Sequence, residues 1–154
     1  MLGKTNRETI MKELIELLES SSVKKVIRSK RSDIQKEFVS LPDTDFPLVA
    51  IDCGLPQTEI KFSSRQQGII DEVRSTLNIS LYVYLRLSEG LDGQEDEQVS
   101  NVATNLWSII CNNPNVGKAF QVVPNFSSSL TYVDTYCYFT LDLKVQYVHD
   151  RDSL

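Results

Sequence analysis

The sequence predicts an α+β fold: a single domain with a mixed or antiparallel β-sheet and two main helices packed on one face. Three observations carry this. Leu77, Ile79, Leu81, Val83, Leu85 and Leu87 fall at every second position, separated by Asn78, Ser80, Tyr82, Tyr84, Arg86 and Ser88, which is the period of a long half-buried strand. The alternation returns with Cys137, Phe139, Leu141, Leu143, Val145 and Tyr147, interleaved with Tyr136, Tyr138, Thr140, Asp142, Lys144 and Gln146. Between the two strands, Val99, Val102, Ala103, Leu106 and Ile110 recur at helical spacing, so the sheet has one greasy side covered by helix.

The elements follow in order. Thr5-Asn6-Arg7-Glu8 has capping-box spacing, and Ile10, Met11, Leu14, Ile15, Leu17 and Leu18 continue at helical intervals until Ser20-Ser21-Ser22 ends the first helix. Val23 to Ile27 is a short β-branched segment whose Lys24 and Lys25, with Arg28 just after, suit an edge strand guarded by charge. Ser29 to Asp45 is expected to be a loop, with a turn at Leu41-Pro42-Asp43. Phe46 to Ile51 is an apolar run closed by Cys53-Gly54 and Pro56, the pattern of a buried central strand, with Pro47 at its start where no ladder donor is needed.

Gln57 to Phe62 reads as another strand, and Ser63 to Gly68 turns it into Ile69 to Val73, giving a long, partly projecting hairpin. After the strand from Leu77 to Leu87, Glu89 to Glu97 is an acidic loop that leads into the second helix, where acid complements the helix dipole. Asn112-Asn113-Pro114-Asn115 terminates that helix, Ala119 to Val123 is strand-like, and Pro124 to Ser129 is a loop. The final strand runs to Val148, and His149 to Leu154 is a polar, frayed tail.

A length of 154 residues suits one domain, and a chain of this size buries roughly two-thirds of its unfolded surface. The net charge of −5 argues against broad attraction to phosphate backbones, which needs clustered Lys and Arg. Cys53, Cys111 and Cys137 are odd in number and widely spaced, so the thiols are expected to be free, in a reducing compartment. No stretch approaches the roughly 18 apolar residues of a membrane span and the start lacks a signal-type apolar run, so the expectation is a soluble cytosolic product.

The residues offer no catalytic, cofactor-binding or metal-binding constellation. His149 stands alone at the C-terminal edge, where it reads as a solvated terminal histidine. Asn115-Val116-Gly117-Lys118 ends like a phosphate loop, but Asn112 occupies the first glycine position and Ala119 the Ser/Thr position, so it reads as a turn after a helix. The acidic residues Glu89, Asp92, Glu95, Asp96 and Glu97 do not match a calcium-loop spacing. The basic set Lys24, Lys25, Arg28, Lys30 and Arg31 lacks interleaved aromatics and reads as a solvated edge or a protein contact. With Arg65 at the hairpin tip, these two charged sets are the candidate subunit or partner contacts. Trp107 is a core residue or a subunit contact.

The order of helix, short strand, Phe46-Pro47-Leu48-Val49-Ala50-Ile51, hairpin, Ser80-Leu81-Tyr82-Val83-Tyr84-Leu85 and acidic break resembles the tail-terminator (tail-completion) proteins of long-tailed bacteriophages. The helix from Val99 to Cys111, the Asn113-Pro114-Asn115-Val116-Gly117 turn and the closing strand from Tyr138 to Tyr147 continue the resemblance, which covers residues from about 8 to 148. It implies a non-enzymatic virion protein at the neck: a ring, usually of six copies, that caps the tail tube and joins it to the head. Its partners would be copies of itself, the tail-tube protein and neck or connector proteins, with double-stranded DNA passing through the lumen without specific binding. No cofactor and no membrane are implied. A head-completion protein of the neck and a partner-binding adaptor of the same layout are the alternatives.

Overall fold

The computed structural model describes residues 4–28, 42–62, 70–86, 94–119, 121–126, 130–133 and 136–149. Two long, interrupted hairpins form its sheet. In the first, β2 (Leu48–Cys53) and β3 (Gln57–Phe62) lie end to end along one side of β4 (Ile70–Arg86), separated by Gly54-Leu55-Pro56. In the second, β5 (Gln121–Phe126) and β6 (Thr131–Val133) lie end to end along β7 (Tyr136–His149). The unbroken inner arms β4 and β7 pair antiparallel from Val73↔His149 to Arg86↔Tyr136 and form the centre of the sheet. At one edge, β1 (Lys25–Arg28) pairs parallel with β2, which makes the sheet mixed. The described residues thus form a seven-stranded sheet with two helices in one compact α+β domain.

The register places odd-numbered residues of β4 and β7 on the helix-bearing face. Leu77, Ile79, Leu81, Val83 and Leu85 meet Cys137, Phe139, Leu141, Leu143 and Val145 there, under Ile10, Met11, Leu14 and Leu18 of α1 (Arg7–Glu19) and Val102, Leu106 and Ile110 of α2 (Gln94–Cys111). This is the core the alternation predicts, and full burial of such a side chain is worth roughly 1.5–3 kcal/mol.

The opposite face differs from the expectation of one greasy side. Tyr84 and Tyr138, at interleaved positions, are 0% and 7% exposed and form a second cluster with Phe46, Leu48 and Ala50. Their rings sit 5.4 Å apart across the β4–β7 ladder, and the Arg86 guanidinium lies 4.8 Å over the Phe46 ring. Tyrosine can occupy either environment because its ring is apolar and only its tip is polar, so alternation alone does not say that an interleaved tyrosine faces water. Further along the same face, Asn78, Lys144 and Val123 are exposed, and Ser80 donates to Asp142 at 2.9 Å.

Helix α1 begins one residue later than capping-box spacing predicts: the cap is Asn6, whose Oδ1 accepts from the Thr9 N–H at 2.8 Å. Glu8 does not reach back to close a box, because Arg28 holds it in a two-pronged ion pair at 2.8 and 3.0 Å. The second helix is longer than its apolar stripe, starting at Gln94, so Glu95, Asp96 and Glu97 belong to its first turn and not to a loop. An acidic first turn satisfies the helix dipole without any apolar residue, and hydrophobic periodicity has nothing to register there. Two further expectations change. Asp43–Asp45 is a short 3-10 turn within the stretch expected to be loop, and β4 reaches back to Ile70 as one continuous strand.

His149 is also not part of a frayed tail. It ends β7 opposite Val73, is 4% exposed, and its ring lies 5.7 Å from that of Tyr147, so the strand continues for as long as β4 offers partners. Residues 29–41, 63–69, 87–93, 127–129 and 150–154 lie outside the description, and with them Lys30, Arg31, Arg65, Glu89, Asp92 and the tip of the hairpin.

Candidate interaction surface

The sheet has two outer edges, and they carry different chemistry. Edge strand β1 is charged. Lys25 donates to Asp45 at 3.3 Å, Arg28 holds Glu8, and Lys24 is exposed with no ion pair among the described residues. Of the basic residues expected to face water, two therefore have partners inside the subunit. The Glu8–Arg28 pair is part of a wider tie: Arg7 donates to the Cys53 and Gly54 carbonyls at 2.8 and 3.0 Å, binding the start of α1 to the end of β2. The hydrogen bond from Arg28 holds the Glu8 carboxyl below the usual carboxylate range and pushes the Arg28 guanidinium up. Half-buried beside them, the Cys53 thiol is pushed up by burial, with Arg7 opposing.

The other edge is apolar. Trp107 of α2 is 39% exposed and stacks on Phe126 of β5, 42% exposed, with ring centroids 5.3 Å apart and planes 19° from parallel. Phe126 in turn meets the buried Phe139 edge-on at 5.8 Å, which anchors the stack to the core. Val123 and Tyr132 are also exposed along this edge, and among the described residues no strand pairs with the outer edge of β5. The sequence left Trp107 open between core and contact, and the structure places it partly exposed, stacked on Phe126. Phe126 was not foreseen, since Pro124 was read as the end of a strand. Yet Val122, Pro124 and Phe126 share one side of β5 by period two, and an edge strand tolerates proline.

An open cleft of about 570 Å³ lies where α1 meets the turn after α2, lined by Glu13, Glu16 and Leu17 and by residues 112–116. The Val116–Lys118 turn is the tight turn the sequence predicts. The Gly117 N–H donates to the Glu13 carboxylate, so the amide that a phosphate loop would aim at its ligand is occupied by an acid. At φ +64° a Cβ on Gly117 would lie 2.6 Å from the Ile10 Cα, and the glycine is what lets α1 approach this closely.

No protein-family model and no curated protein matches this chain. Among the described residues no three His, Cys, Asp or Glu side chains converge to hold a metal ion, and no helix is long and apolar enough to cross a membrane. Of the charged contact set, Lys24, Lys25 and Arg28 gather at the β1 edge, whereas Glu95, Asp96 and Glu97 open α2; Glu97 is exposed. Among the described residues no ion pair joins the two sets within one subunit.

Proposed function

We propose that this chain is a non-enzymatic structural subunit of a phage neck, forming a ring that closes the tail tube and joins it to the head. The observation that carries the reading is the order of its elements. Helix, edge strand, long hairpin, helix, Val-Gly turn and long closing strand succeed one another over residues from about 8 to 148, an order that resembles that of the tail-terminator proteins. Two features support it. A closed ring needs two different surfaces on each subunit, and the sheet has two unlike edges. The net charge of −5 suits a lumen through which DNA passes without being gripped.

Native mass measurement tests the reading directly. A species six times the 17.5 kDa chain is expected, together with capping of purified tail tubes seen by negative-stain microscopy. A protein that stays monomeric across concentration and salt, and that leaves tube ends bare, overturns it.

A further inference from the structure

We infer that the Trp107–Phe126 edge of the sheet is covered by the β1 edge of a second copy of this chain. The inference rests on the ring reading only in taking the occupant to be another copy. Of the five exposed large apolar side chains among the described residues, Trp107, Phe126 and Tyr132 share the helix-bearing face at this edge, while Val123 stands on the opposite face of the same edge strand. Side chains of this size, each about half exposed, present on the order of 300–400 Å² of apolar surface, within the range of patches that serve as contact sites. An open strand edge flanked by such a patch invites a further strand. Among the described residues the other edge carries Lys24, Lys25 and Arg28, whereas β5 carries Pro124 and no charged side chain.

Charge selects the occupant. Helix α2, which carries Trp107, has Glu95, Asp96 and Glu97 and no lysine, arginine or histidine in its 18 residues. In the stretch from Val23 to Arg28, Lys25 and Arg28 are held by Asp45 and Glu8 of their own subunit, and the exposed Lys24, with no ion-pair partner among the described residues, is the cation left to meet an acidic neighbour. One face of the Trp107 ring is taken by Phe126, and the other is a surface of the kind a Lys or Arg cation prefers. The two edges are unlike, so the contact is heterologous. Repeated from copy to copy, it closes on itself when the rotation per step divides a full turn.

Trp107 is the only tryptophan in the chain, so it reports on this surface without any mutation. In a dilution series of the intact protein, followed by fluorescence and native mass together, Trp107 emission should shift to the red and become open to acrylamide as the assembly falls apart. Trp107→Ala should raise the concentration of half-assembly about ten-fold or more, as truncating an aromatic hot spot does. Lys24→Glu should raise it several-fold and weaken its salt dependence. Far-UV circular dichroism should match the wild type in both variants, which shows that the fold is kept. Assembly in which Trp107 stays open to acrylamide, or in which either variant assembles like the wild type, overturns the inference and leaves the ring reading standing. Shielding of Trp107 only when tail-tube protein is added assigns the edge to that partner and likewise overturns it. A wild type that is monomeric throughout removes both.

Discussion

On the helix-covered face of the sheet, β4 and β7 contribute aliphatic side chains along their whole length, from Leu77 to Leu85 and from Cys137 to Val145. On the opposite face the interleaved positions of the same two strands divide. Tyr84 and Tyr138 are buried at one end, while Asn78 and Lys144 stand in water at the other. The difference teaches that period two assigns residues to a face but does not decide whether that face is wet. What decides it is whether another part of the chain crosses over, and here the second cluster forms where Phe46 meets the sheet.

The comparison breaks first at its largest effect. Tyr84→Ala should cost about 3–5 kcal/mol and Leu141→Ala about 2–5 kcal/mol in urea denaturation, because both side chains are fully buried. A cost below about 1 kcal/mol for Tyr84 would make the second cluster a covered surface and leave the molecule one core. Asn6→Ala loosens only the element that covers the first face, and should cost about 1 kcal/mol as a lost helix cap. Thr5→Val should not lower stability, since the buried Thr5 hydroxyl has no hydrogen-bond partner. That pair of variants separates the cap observed at Asn6 from one at Thr5. At the polar end of the second face, Asn78→Ala and Lys144→Ala should each stay within about 0.5 kcal/mol of wild type.

The smallest expected effect is a pH dependence at the tie between α1 and β1. Arg28 lowers the Glu8 pKa, so the stabilisation is present above the unfolded-state value and is lost as pH falls through the lower folded value. Glu8→Gln should therefore be slightly less stable than wild type at pH 7, and the gap should close on acidification. Urea midpoints at pH 7 and pH 3 check the sign, and a gap that widens in acid would mean the pair does not behave this way.

Much of the fold was legible because its central strands and helices bury apolar residues at regular periods. Leu81, Leu106 and Phe139 each announce their element. Boundaries set by other forces were less visible. The Asn6 cap lies one residue from a better-looking capping box, the acidic start of α2 carries no apolar residue, and Asp71, Glu72 and Arg74 disguise the early part of β4. His149 looked terminal because it is polar and near the end, yet β4 extends far enough to bury it. The candidate surface was half legible. Lys24 was expected at an exposed edge and is found there. The Trp107–Phe126 stack needed the sheet order, since only the pairing of β5 with β7 brings residues 107 and 126 to the same edge.

The pairing of β4 with β7 has a consequence in time. Within the first hairpin, β3 and β4 join residues 8 to 19 positions apart, whereas the central ladder joins residues 50 to 76 apart. Closing the longer loops costs more chain entropy, so local hairpins should form first and the centre of the sheet last. During synthesis the first hairpin is complete by residue 86, but its inner strand has no neighbour on its far side until residue 136 and those after it leave the ribosome. For that interval the longest strand of the molecule is an open template, and it is the late arrival of β7 that withdraws it from other chains.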